Sequence, residues 1–138
     1  MPLGLYTLGQ TRALYGSSGS VTPKDVGENF YQELSSEFDS RTGAVLISEH
    51  SFEERWPTWE VHPEGDELVY LLEGDTDFVF WIDGSEQIIR VSRPGTYVIV
   101  PRNTWHTARP YAPTRMIFFT HGEGTLNAVE PGGKPLTI

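Results

Sequence analysis

The 138-residue chain contains no cysteine. Disulfide frameworks, thiolate metal sites and cysteine nucleophiles are therefore excluded, and a cytoplasmic location is the expectation. Cations are scarce: 10 Lys and Arg stand against 19 Asp and Glu, for a formal charge of −9. Such a surface repels phosphate backbones and anionic lipid, so neither nucleic acid nor membrane is expected as a partner. No apolar run approaches the roughly 20 residues of a membrane span. The first residues, MPLGLYTLGQTRALYG, lack the basic and apolar regions of a signal peptide. No internal repeat is present. Aromatics, by contrast, reach 12%, more than a disordered chain carries.

From Thr42 onward the sequence reads as short strands separated by turn residues. Strands are predicted over 44–51, 58–62, 67–72, 77–82, 86–92, 96–100, 104–108 and 115–120. Between them stand Pro63-Glu64-Gly65-Asp66, Glu73-Gly74-Asp75, Asp83-Gly84 and Arg93-Pro94-Gly95. Asp-Gly between two apolar runs is a two-residue hairpin signal. Eight short strands without alternating helices predict an all-β sandwich or barrel. Residues 1–40 read as an N-terminal arm, flexible at Gly16–Ser20 and with a possible short helix over 28–38. Residues 41–125 read as the barrel, and 126–138 as a C-terminal tail.

Two segments carry the chemistry. Side chains two apart on a strand share a face, so Glu60 and His62 point the same way. The turn at 63–66 then reverses the chain, and Glu67 can fold back beside His62. His106 opens a later strand after the turn marked by Pro101. Imidazole and carboxylate donors converging inside a barrel are what Zn, Mn, Fe or Ni require. Two His and one carboxylate leave positions on the metal open for water, oxygen or substrate.

These residues resemble the two motifs of the cupins, G-x5-H-x-H-x3-4-E-x6-G and G-x5-P-x2-or-4-H-x3-N. His62-x4-Glu67-x6-Gly74 matches most of the first, and Gly95-x5-Pro101-x4-His106 most of the second. The match spans roughly residues 43–121. The resemblance implies a double-stranded β-helix, or jelly-roll barrel, with a divalent metal on His62, Glu67 and His106. It departs at Glu60, which replaces the family's first histidine, and at Glu54, where a glycine would stand. Near the place of the trailing asparagine are Arg109 and Pro110. Glu60 is open to three roles: fourth metal ligand, catalytic base beside the metal, or ion-pair partner of an arginine.

His50 and His121 lie outside the motifs and read as surface or core residues. Gly122-Glu123-Gly124 lacks the third glycine and the following helix of a dinucleotide loop. By strand alternation Trp59 and Trp105 face away from the site. Thr58, Val69, Leu71, Thr104 and Ala108 are pocket-face candidates, joined by Phe78 and Phe80 or by Val79 and Trp81. An apolar cavity with few polar groups suits a small organic ligand. Two functions remain: a metal-binding cupin that holds a small molecule, and a metal-dependent dioxygenase, isomerase or lyase. Phe78–Ile82 and Met116–Phe119 are apolar on both faces, so a homodimer, or an arm wrapped over them, is expected.

Overall fold

The structure, a computed structural model, describes residues 3–25, 43–121 and 125–136. The predicted helix over 28–38 and the glycine pair at 122–124 lie outside the described residues. Among those residues no helix is long and apolar enough to cross a membrane.

Eleven strands are described: β1 (Thr11–Tyr15), β2 (Val21–Asp25), β3 (Val45–Phe52), β4 (Trp59–Val61), β5 (Glu67–Glu73), β6 (Thr76–Ile82), β7 (Ser85–Val91), β8 (Tyr97–Val100), β9 (His106–Pro110), β10 (Thr114–Thr120) and β11 (Leu126–Ala128). They form two sheets with orders β2-β1-β3-β10-β5-β8 and β11-β4-β9-β6-β7. Within them β3 neighbours β10, β4 neighbours β9, β5 neighbours β8 and β6 neighbours β7, all antiparallel. The pairs are nested, as in one long ribbon whose tip is the β6–β7 hairpin. Winding such a ribbon so that successive pairs fall in alternate sheets gives a jelly roll. The fold is therefore the all-β jelly-roll barrel that the strand pattern and motifs imply.

Local chemistry places the turns. Asp83 and Gly84 both have positive φ, 52° and 79°, as the two-residue hairpin joining β6 to β7 demands. Gly74 has φ 119°, and a Cβ there would stand 2.5 Å from Thr114 Cα. Only glycine fits where β5 ends against the start of β10.

Alternation fills the barrel. Val69 and Leu71 on β5, Phe78 and Phe80 on β6, Ala108 on β9, and Met116 and Phe118 on β10 form one buried cluster with Val91, Val98 and Val100. Burying each large apolar side chain contributes about 1.5–3 kcal/mol. Thus Phe78 and Phe80, with Val69, Leu71 and Ala108, are the inward set. Val79 and Trp81 occupy the other face of β6. Val79 is nevertheless fully buried, and Trp81 meets Trp59 edge to face. The N-terminal hairpin β1–β2 extends the first sheet by pairing with β3. Gly16–Ser20 is its turn, closed by Gly16 N–H donating to Ser20 O at 2.7 Å.

Candidate metal centre

The site is built where two turns dock on each other. Glu60 lies on β4 directly opposite His106 on β9, and His106 also pairs with Phe80. His62 follows β4, and the turn at 63–66 returns the chain so that Glu67 opens β5. Glu67 shares the inward face of Val69 and Leu71. The loop before β9 packs on that turn. Asn103 N–H donates to His62 O at 3.1 Å, and Arg102 N–H to Asp66 Oδ1 at 2.9 Å. Both motif halves are thereby fixed to each other by one backbone–backbone and one backbone–side-chain hydrogen bond.

The side chains converge. Glu67 spans the two imidazoles: Oε2 is 3.4 Å from His62 Nε2, and Oε1 is 3.3 Å from His106 Nε2. Glu60 Oε2 is 3.7 Å from His62 Nε2. Donor atoms of Glu60, His62 and His106 all lie within 4.8 Å of one another. His106 is 0% exposed and His62 and Glu67 are each 3% exposed, whereas Glu60 keeps 31% of its side-chain surface in contact with solvent.

The far side of each buried group is held. His106 Nδ1 lies 3.0 Å from Thr104 O, a carbonyl, so this nitrogen carries the proton and donates it. Nε2 is left to face the centre. His62 Nδ1 is 2.9 Å from Thr125 Oγ1. Thr120 Oγ1 donates to Glu67 Oε2 at 2.6 Å. The near side is different. His62 Nε2, Glu67 Oε1 and His106 Nε2 are buried without an aligned hydrogen bond. Three orphaned polar atoms at one point are costly in a protein interior unless a cation lies among them.

The donor groups are electrostatically coupled. Burial pushes the Glu67 carboxyl up, but the imidazoles of His106 and His62 outweigh it and hold it well below the usual range. Burial pulls His106 down, but the Glu67 carboxylate outweighs it, and the net shift is upward. Burial raises Glu60, opposed by both histidines and helped by the Glu67 charge. A preformed anion facing two inward nitrogens is the donor set that suits Zn, Mn, Fe or Ni.

The nested ribbon makes the barrel a jelly roll, and its donor set resembles that of the two cupin motifs. No family model matches the sequence, and no curated protein does. Among solved structures the chain resembles a cupin superfamily protein from Desulfitobacterium hafniense. That pair shares 25% identity over 58% of this chain and 69% of that one, with TM-score 0.47. A cupin-2 domain protein from Shewanella frigidimarina matches at 18% identity over 55% and 69%, also with TM-score 0.47. Bacillus subtilis oxalate decarboxylase, studied for its Mn(II) centres, matches at 16% identity over 59% of this chain and 23% of that one, with TM-score 0.49.

Several contributors to this site carry no sequence motif. Thr120 and Thr125 act through hydroxyls on elements distant in sequence. The His121 ring packs against the ligand turn, 2.5 Å from where a Gly65 Cβ would be. His50 lies on β3 opposite Met116, its ring edge to face with Phe118 at 5.4 Å between centroids, and remains open to solvent. Partial enclosure and the charge of Arg12 pull its pKa down against the pull of Glu67. Trp56 packs on the core beside Phe52, Phe78 and Phe118.

Proposed function

We propose that this protein binds a divalent metal ion through His62, Glu67 and His106, with Glu60 as the fourth, solvent-facing donor. A small organic molecule then binds at the barrel mouth. The observation that carries this reading is the convergence of three buried, unpartnered donor atoms whose opposite ends are each fixed. A cation there would offer a Lewis-acidic position to an oxygen of the bound molecule. The protein's own contribution is to hold both imidazoles with Nε2 inward, keep Glu67 ionised, and exclude water from one side through Phe78, which stacks on His106 at 6.0 Å.

Elemental analysis of the purified protein tests this directly. About one equivalent of Zn, Mn, Fe or Ni per chain is expected, with loss of most of it in His106→Ala. A metal content no different from His106→Ala ends the reading.

One observation favours a second function, that of a metal-dependent dioxygenase, isomerase or lyase. Glu60 touches the ligand cluster and solvent at once. A carboxylate so placed reaches a bound substrate and can carry a proton between it and water.

A further inference from the structure

His106 and His62 face the centre in the same way but are held from behind by different groups. Behind His106 is a carbonyl, which can only accept a proton. Behind His62 is the Thr125 hydroxyl, which can accept or donate. Glu67 and Glu60, 3.4 and 3.7 Å from Nε2, draw an N–H toward themselves, so His62 turns a lone pair to the centre only where Thr125 accepts the proton at Nδ1. Thr125 is not a loosely attached residue. It precedes β11, which pairs with β4 so that Asn127 lies opposite Glu60 and Ala128 opposite Trp59. Thr58 Oγ1 donates to Asn127 Oδ1 at 3.3 Å, and Leu136 N–H to Asn127 O at 2.7 Å. The C-terminal segment is thus docked along the strand that carries Glu60.

We infer that Thr125 is a positioning residue of the metal centre: its hydroxyl accepts the Nδ1 proton of His62 and leaves Nε2 unprotonated and aimed inward. This rests on the metal reading above and extends it. The residue that leads into β11 completes the site, although it follows both motifs.

The test compares wild-type protein with Thr125→Val, which keeps the side-chain shape, and Thr125→Ser, which keeps the hydroxyl. Two quantities are measured: Zn²⁺ affinity by chelator competition, and the ring-nitrogen shifts of His62 in metal-free protein by ¹⁵N NMR. Thr125→Val is expected to weaken Zn²⁺ binding by about 10- to 100-fold, with Thr125→Ser restoring it. Wild type and Thr125→Ser should show His62 protonated at Nδ1, and Thr125→Val should lose that preference. Unchanged Zn²⁺ affinity in Thr125→Val overturns the inference, as does an unchanged His62 tautomer. If wild type takes up no Zn²⁺ the metal reading falls, and the ring-nitrogen shifts still decide what Thr125 does.

Discussion

Glu60 is the residue on which the two functional readings divide. It stands where the cupin motif has a histidine, and it is the member of the cluster that reaches solvent. As a ligand its charge is needed, and Glu60→Gln should lower metal affinity about tenfold or more. As a proton carrier the variant should keep its metal and lose turnover. Metal titration alongside an assay on enolic or catecholic substrates separates these, and no change in either assigns Glu60 a packing role. His62, Glu67 and His106 were legible because strand alternation and one short turn bring them together within a few residues of fixed spacing. Thr120 and Thr125 were not. Each reaches the site through a strand register, β10 against β5 and β11 against β4, and register depends on long-range pairing that spacing does not encode.

The turn at 63–66 is the element that sets the distance between His62 and Glu67, and it has little room. A methyl on Gly65 would fall 2.5 Å from the His121 ring. Gly65→Ala should therefore cost about 1–3 kcal/mol by overpacking and weaken metal binding through the displaced turn. Adding His121→Ala should restore much of both; urea titration and metal competition on the single and double variants measure the coupling. Elsewhere the elements are joined by surface pairs. Arg90 on β7 makes two hydrogen bonds to Asp75, at 2.9 and 2.7 Å, and lies over the Tyr111 ring. The Arg90 hydrogen bond lowers the Asp75 pKa from its ordinary 3.8. The folded state thus binds the proton less readily than the unfolded one. Its contribution is present above that ordinary value and is lost as pH falls through the lower folded value. Below 3.8 the urea midpoint of the wild type should fall more steeply than that of Asp75→Asn at low salt, and the difference should shrink as salt is added. All eight strands from β3 to β10 were readable from turn residues and from the short alternating or apolar runs between them. The strands β1, β2 and β11 were not. β2 contains Pro23, which breaks a strand pattern and is tolerated because β2 is the edge of its sheet. β11 has only three residues.

At the scale of the whole molecule, the outer face of the six-stranded sheet motivates a prediction about assembly. Part of the sequence argument for a dimer has an explanation inside one chain: Val79 on β6 is fully buried, and Trp81 is partly covered by Trp59. The face carried by β3, β10, β5 and β8 differs. Ile47, Phe119, Leu68 and Ile99 follow one another across it in register, beside a second row of Ile117, Tyr70 and Tyr97. Tyr97 and Ile99, at the β8 edge, are each 58% exposed. Monomers rarely expose contiguous apolar patches beyond about 300–600 Å², and a two-fold contact is the commonest way to cover one. The net charge of −9 opposes that contact, because like-charged chains repel at a distance that salt shortens. Light scattering at micromolar protein should therefore give a mass near twice 15.5 kDa, with the dimer fraction rising as salt is added. Ile99→Glu places a charge in the centre of the β8 edge and should return the protein to monomer without loss of fold, since Ile99 is exposed in the single chain. A wild-type mass of 15.5 kDa at every salt concentration would sink the dimer and leave the apolar rows to be covered within one chain.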